Sequence, residues 1–174
     1  DSDEVFEHRP VERAGPVWDL PQGPPMAMPA IEFGGETRGY DRFAEDTYTN
    51  ALMVIRDGRV VFEDYRNRSD GLTRFIGFSM SKTITAMLVG IALEQGTIAS
   101  LDDPVTRYLP ELAGTGYDGV SLRQVLQMRS GVDYEERYDF GNPGTAARNH
   151  EQALVANVVR FADAARTIKR VHRP

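Results

Sequence analysis

The chain has 174 residues, 41% of them apolar, and a formal net charge of −6. The acidic balance and the lack of any basic run argue against nucleic acid as a partner, and no apolar run reaches the roughly 20 residues that span a bilayer. With no cysteine there is no disulfide, no thiolate nucleophile and no cysteine-ligated metal.

The length suits one domain or part of a larger one. Residues 1–38 read as an extended arm, because six of the ten prolines fall in the first 30 positions. Trp18 and Met26 are its candidate anchors. Residues 39–49 predict a short helix. Ala51–Arg56 and Arg59–Tyr65 flank Asp57-Gly58, a strong hairpin signal between two apolar, β-branched runs. Two strands alone are marginal and need further sheet or a helix to pack on.

Residues 79–95 predict the central helix, closed by Gly96. From Ile84 to Leu93 it is nearly all apolar with no polar face, which predicts burial. Beyond it, Asp103 is a candidate cap for a short helix with Pro104 at its first position. Ser121 is expected to cap a helix running to about Arg129, with Gly131 as its stop. Residues 132–149 read as a polar, aromatic loop, long enough to suggest a functional role. A last helix is expected from about Glu151 to Ile168, with Leu154, Val158 and Phe161 at helical spacing. Strands come first and helices after, so the hairpin lacks sheet partners in this order of elements.

The candidate chemistry sits at the start of the central helix. Ser79 and Lys82 are three residues apart, so both point to one side of a helical turn. A hydroxyl beside an amine is the minimal arrangement for an activated nucleophile. The chain has only two lysines, Lys82 and Lys169. The competing structural reading makes Ser79 an N-cap and lets Lys82 reach to solvent. The histidines, His8, His150 and His172, have no metal-ligand spacing, and no Gly-x-Ser-x-Gly elbow is present.

Several segments together carry a resemblance. They are Phe78-Ser79-Met80-Ser81-Lys82-Thr83 with its apolar helix, Leu101-Asp102-Asp103-Pro104-Val105, Tyr108-Leu109-Pro110-Glu111-Leu112, and Leu122 to Gly131. In this order they resemble the class C β-lactamase-related serine hydrolases over residues 40–174. Pro110 to Gly114 with Tyr117-Asp118-Gly119 looks most like the branch of 6-aminohexanoate-dimer hydrolases and related carboxylesterases. The resemblance implies an α+β, β-lactamase/transpeptidase-like fold. An antiparallel sheet is flanked by helices, a mostly helical lobe lies beside it, and the reactive serine sits in the cleft between them.

The same resemblance implies that Ser79 attacks a carbonyl carbon and that Lys82 takes its proton. A free lysine is mostly protonated at neutral pH, so desolvation and the positive end of its own helix must favour the neutral amine. Tyr138 matches in position a substrate-holding loop tyrosine. No metal or organic cofactor is required. The partner is a small ester or amide, in a bacterial cytoplasm or periplasm.

The family's later tyrosine motif and its Lys-Thr-Gly strand have no counterpart in these residues. Tyr48-Thr49-Asn50 and Tyr65-Arg66-Asn67 match Tyr-x-Asn but precede the serine. The expectation is therefore that a C-terminal remainder of the same protein completes both sheet and site. Two other readings stay open: a β-lactamase or D-alanyl-D-alanine peptidase, and a non-catalytic relative that binds peptide or cell-wall fragments.

Overall fold

Asp57 and Gly58 both take positive φ, 52° and 72°, in the computed structural model, which describes residues 8–12, 14–139 and 141–174. Two such residues in succession make the tight turn whose twist matches that of the flanking strands. The expected hairpin follows: β3 (Ala51–Arg56) pairs antiparallel with β4 (Arg59–Tyr65), with a bulge between Val54 and Ile55. Before it come β1 (Ile31–Phe33) and β2 (Glu36–Arg38), a second hairpin turning at Gly34 and Gly35, whose φ values are 61° and 80°. These residues fall within the expected arm. Their Gly-Gly pair between two short runs is the signal that was available.

The chain divides into two units, one up to Ile76 and the other from Gly77. In the first, α1 (Tyr40–Asp46) forms where a helix is expected. The arm lies along the outer edge of β4. The N–H groups of Gly23 and Met26 donate to the carbonyls of Val60 and Val61, each at 2.8 Å, and Val60 donates back to Pro21 at 3.0 Å. Gly23 suits this close approach, since a Cβ would stand 3.0 Å from Arg59 Cβ and 3.1 Å from Val61 Cγ1. Trp18 is 83% exposed, so it does not anchor the arm. Residues 1–7 and 13 of the expected arm, and Phe140 of the expected loop, lie outside the described residues. The edge of β3 has no strand partner among the described residues.

Tyr40, Asp64 and Arg66 tie α1 to β4. Tyr40 donates to Asp64 at 2.8 Å, Arg66 pairs with both Asp64 and Asp41, and the Arg66 guanidinium stacks 5.0 Å from the Tyr40 ring centroid. Asn67 donates its amide to the Asn50 side chain at 3.0 Å. The two Tyr-x-Asn matches are thus joined to each other in a structural pin.

The second unit begins with a 3₁₀ turn at Phe78–Met80 and continues as α2 (Ser81–Glu94). Its expected burial is not found. Ile84, Met87, Leu88 and Ile91 share one face at i, i+3, i+4 and i+7, yet each is 50–60% exposed. No described residue covers that face closely enough to bury any of α2.

The core of this unit lies further on, around Val105, Leu112, Val120 and Ala146. Asp103 does not cap the following turn (Val105–Arg107). Its carboxylate instead accepts from the Tyr108 hydroxyl at 2.6 Å and pairs with Arg107 at 3.0 Å. Ser121 does cap α3 (Leu122–Leu126), in a reciprocal box with Gln124. The helix stops earlier than expected because Met128 turns left-handed, with φ at 58°.

Helix α4 (Thr145–His150) forms inside the expected loop and passes directly into a π-helical turn, Glu151–Val155. The expected helix over 151–168 is therefore broken. Asn157, with φ at 51°, ends it before α5 (Phe161–Thr167). Leu154, Val158 and Phe161 remain about half exposed or more instead of forming a buried stripe.

Residues 168–172 then run back across the unit. Gly116 N–H donates to Ile168 at 2.8 Å, Asp133 N–H to Lys169 at 2.8 Å, and Val171 and His172 both donate to Gly131. Gly131 has φ at 71°, and a Cβ there would fall 2.3 Å from the His172 carbonyl oxygen. It does not end the helix, which stops at Leu126, but the backbone crossing requires it.

Candidate active site

Ser79 lies in the 3₁₀ turn and Lys82 in the first turn of α2, so the chain changes helix type between them. The pairing expected from i, i+3 spacing is present: Lys82 Nζ is 2.8 Å from Ser79 Oγ. With an ammonium group, nitrogen donates and the hydroxyl accepts. With a neutral amine, the same contact lets the hydroxyl donate and carries the proton toward nitrogen. Met80, at the N-cap position of α2, makes no side-chain cap bond, so Ser79 does not serve as that cap. Both members of the pair are exposed, and the described residues do not supply the low-dielectric surroundings expected around Lys82.

Lys82 borders a cavity of about 550 Å³ that lies wholly within the second unit. Tyr117, Arg129, Tyr134, Glu136 and Arg173 are also among its lining residues. Burial pushes the Tyr117 phenol upward. Burial does the same to Tyr134, helped by the nearby Tyr138, Glu136 and Tyr117. Both phenols therefore keep their protons and are fitted to donate hydrogen bonds, not to act as phenolate bases.

Tyr138 does not line this cavity. It borders a separate one of about 430 Å³ together with Pro143, His150 and Leu154. Its ring meets His150 edge-on at 6.2 Å, and His150 meets Phe161 at 5.1 Å. The aromatic loop thus faces two ways, with Tyr134 toward the Lys82 cavity and Tyr138 toward α4. The resemblance singles out Tyr138, whereas the tyrosine of this loop that borders the Lys82 cavity is Tyr134. Ser130 and His172 also line the Lys82 cavity, each beside the Gly131 crossing.

No group of three or more His, Cys, Asp or Glu suited to a metal occurs among the described residues. No helix among them is long and apolar enough to cross a membrane.

The Beta-lactamase family profile matches residues 41–173. A 6-aminohexanoate-dimer hydrolase of Paenarthrobacter ureafaciens is 37% identical over 123 residues, covering 71% of this chain and 31% of the relative. A beta-lactamase of Pseudomonas fluorescens is 35% identical over 79 residues, covering 41% of this chain and 22% of the relative. Among solved structures, a Bacillus anthracis protein provisionally named a 6-aminohexanoate-dimer hydrolase superposes with a TM-score of 0.69 at 19% identity. That match covers 91% of this chain and 43% of the other, and at such identity it speaks for the fold alone. The matched region spans less than a third of either curated relative.

Proposed function

The chain belongs to the β-lactamase family, and from that premise we propose that it carries the nucleophile and base of a serine hydrolase acting on small amides or carboxylic esters. The observation that carries this reading is the 2.8 Å contact between Lys82 Nζ and Ser79 Oγ. Ser79 Oγ attacks the substrate carbonyl carbon while its proton passes to Lys82. The tetrahedral adduct collapses, the leaving amine or alcohol takes that proton, and an acyl-Ser79 ester remains. Water then attacks this ester, and the acid product leaves as Ser79 regains its proton. The Ser79 backbone N–H at the helix start is a suitable oxyanion donor.

The fold brings only part of such a site together. The proton-sharing tyrosine and the second oxyanion donor belong to a further stretch of the same protein, which also supplies the strands beside β3. The relatives' greater length supports this reading.

The 6-aminohexanoate-dimer hydrolase relative favours a linear amide of an amino acid as substrate, and simple carboxylic esters share the same acylation chemistry. The beta-lactamase relative keeps a β-lactam, or a D-alanyl peptide of the same acylation chemistry, as the second reading. Tyr138 remains a candidate for holding substrate, on the rim of the second cavity.

Treating the full-length protein with a serine-directed phosphonate tests the chemistry. Mass spectrometry is expected to find one adduct, on Ser79. Ser79→Ala should lose about 10⁴-fold or more in kcat, and Lys82→Ala about 10²- to 10⁴-fold. No adduct on Ser79, together with no turnover by the wild type, leaves the non-catalytic binding relative as the better reading. A p-nitrophenyl ester series, a chromogenic cephalosporin and a linear aminohexanoate dimer then rank the substrates.

A further inference from the structure

The crossing of residues 168–172 forms a short antiparallel ribbon with residues 131–134. Val132 stands opposite Arg170 in it, and Asp133 N–H donates to the Lys169 carbonyl at 2.8 Å. Side chains alternate between the faces of such a ribbon, and directly opposed residues share a face. Val132, Tyr134 and His172 accordingly line the Lys82 cavity. Asp133 and Lys169 turn the other way. They line a separate cavity of about 410 Å³, bounded also by α4 and α5. The ribbon is thus one wall shared by two cavities.

The charged groups of this second cavity are of two kinds. Asp163 is committed to its own chain: it accepts from the Arg160 backbone N–H at 3.0 Å and pairs with Arg166. Arg148 is committed as well, donating to the Pro143 carbonyl and to Thr145. Asp133 and Lys169 are not. Among the described residues neither side chain has a hydrogen bond or an ion pair, although both lie on one face of the ribbon. An exposed pair of this kind attracts too weakly to close the gap between its members.

A carboxylate and an ammonium held apart in a concave site match a ligand that carries both charges itself. Its ammonium would meet Asp133, and its carboxylate would meet Lys169. The amides of Asn149 and Gln152 also line the cavity and are equally uncommitted among the described residues. Each offers both donors and an acceptor to a polar substituent. The volume lies within the range of small-molecule sites.

We propose that the cavity between Asp133, Lys169, α4 and α5 binds a small zwitterion, a free α-amino acid with a polar side chain. The inference does not depend on Ser79 being a nucleophile.

The test uses the full-length protein and L-serine as the probe. Ethanolamine and 3-hydroxypropanoate are the analogues that each keep one charge. Saturation-transfer NMR titrations give the affinities. Losing one charged hydrogen bond costs about tenfold in affinity. L-serine is expected to bind more tightly than either analogue by about that factor. Asp133→Asn and Lys169→Gln should each weaken it as much, and Arg129→Gln, in the Lys82 cavity, should leave it unchanged. Amine acylation, read by peptide mass spectrometry, locates the ligand. The ratio of Lys169 to Lys82 acylation should fall when L-serine is present, and reagent consumed by L-serine cancels in that ratio.

No binding of L-serine overturns the proposal, as do equal affinities for the three probes. Unchanged affinity in both Asp133→Asn and Lys169→Gln does the same, and so does an equal loss in Arg129→Gln. A ratio that rises puts the ligand in the Lys82 cavity and also overturns it. Lys169 that resists acylation without ligand means that the rest of the protein closes the cavity, which removes the site. If a variant does not fold, the probe series and the acylation ratio on wild-type protein decide.

Discussion

At the scale of single residues, the pair that i, i+3 spacing places on one helical face is found in contact, Lys82 Nζ to Ser79 Oγ at 2.8 Å. The turn that makes this possible was not legible, because Phe78, with φ at 39°, breaks the preference that sequence reading relies on. The cavity tyrosines are the other case. The resemblance points to Tyr138, yet Tyr134 borders the cavity beside Lys82, since the backbone crossing at 168–172 shapes that cavity from far along the chain. With its phenol pushed up by burial, Tyr134 serves best as a neutral hydrogen-bond donor. Tyr134→Phe should therefore lower kcat/KM by less than about tenfold, leaving the pH–rate profile in place. A loss in the 10²- to 10⁴-fold range of proton-transfer groups would reassign the base role to it.

At the scale of elements, what was legible is what a few adjacent residues encode. Asp57-Gly58 specifies its hairpin to the residue, and Ser121 with Gln124 specifies its cap. The helices over 145–167 were not legible in the same way. A helical apolar spacing runs through residues 154–161, yet Asn157 breaks the helix and the elements on either side are short. Short helices draw most of their stability from packing, so local pattern underdetermines their ends. The α1–β4 tie yields a pH prediction. The Arg66 guanidinium first, and the Tyr40 hydroxyl second, hold the Asp64 carboxyl below the ordinary carboxylate range. Its contribution to stability is thus fully present above the unfolded-state value of about 3.9 and is lost as pH falls through the lower folded-state value. Thermal melts of wild type and Asp64→Asn from pH 7 down to pH 2 are expected to converge at the acid end. A gap that stays constant across that range would remove Asp64 from the acid limb.

At the scale of the whole molecule, the apolar face of α2 is the feature that most needs an explanation. Its sequence predicts burial, and the surface the described residues leave open is one continuous stripe, Ile84, Met87, Leu88 and Ile91. Contiguous apolar surface of this kind marks a place where something docks. The relatives extend well beyond the matched region, so the occupant proposed is a further stretch of the same protein. Burying four such side chains stabilises by about 1.5–3 kcal/mol each when complete, and by roughly half of that here, because each is already about half covered. The 174-residue chain alone should therefore bind an apolar dye such as ANS strongly, and full-length protein should not. Leu88→Glu separates this from general looseness. In the isolated chain it should weaken dye binding at little cost to secondary structure. In the full-length protein the same charge would be buried without a partner, an expensive placement, and should lower Tm sharply along with activity. If full-length protein tolerates Leu88→Glu with Tm unchanged, the stripe faces solvent there too, and the further stretch packs elsewhere.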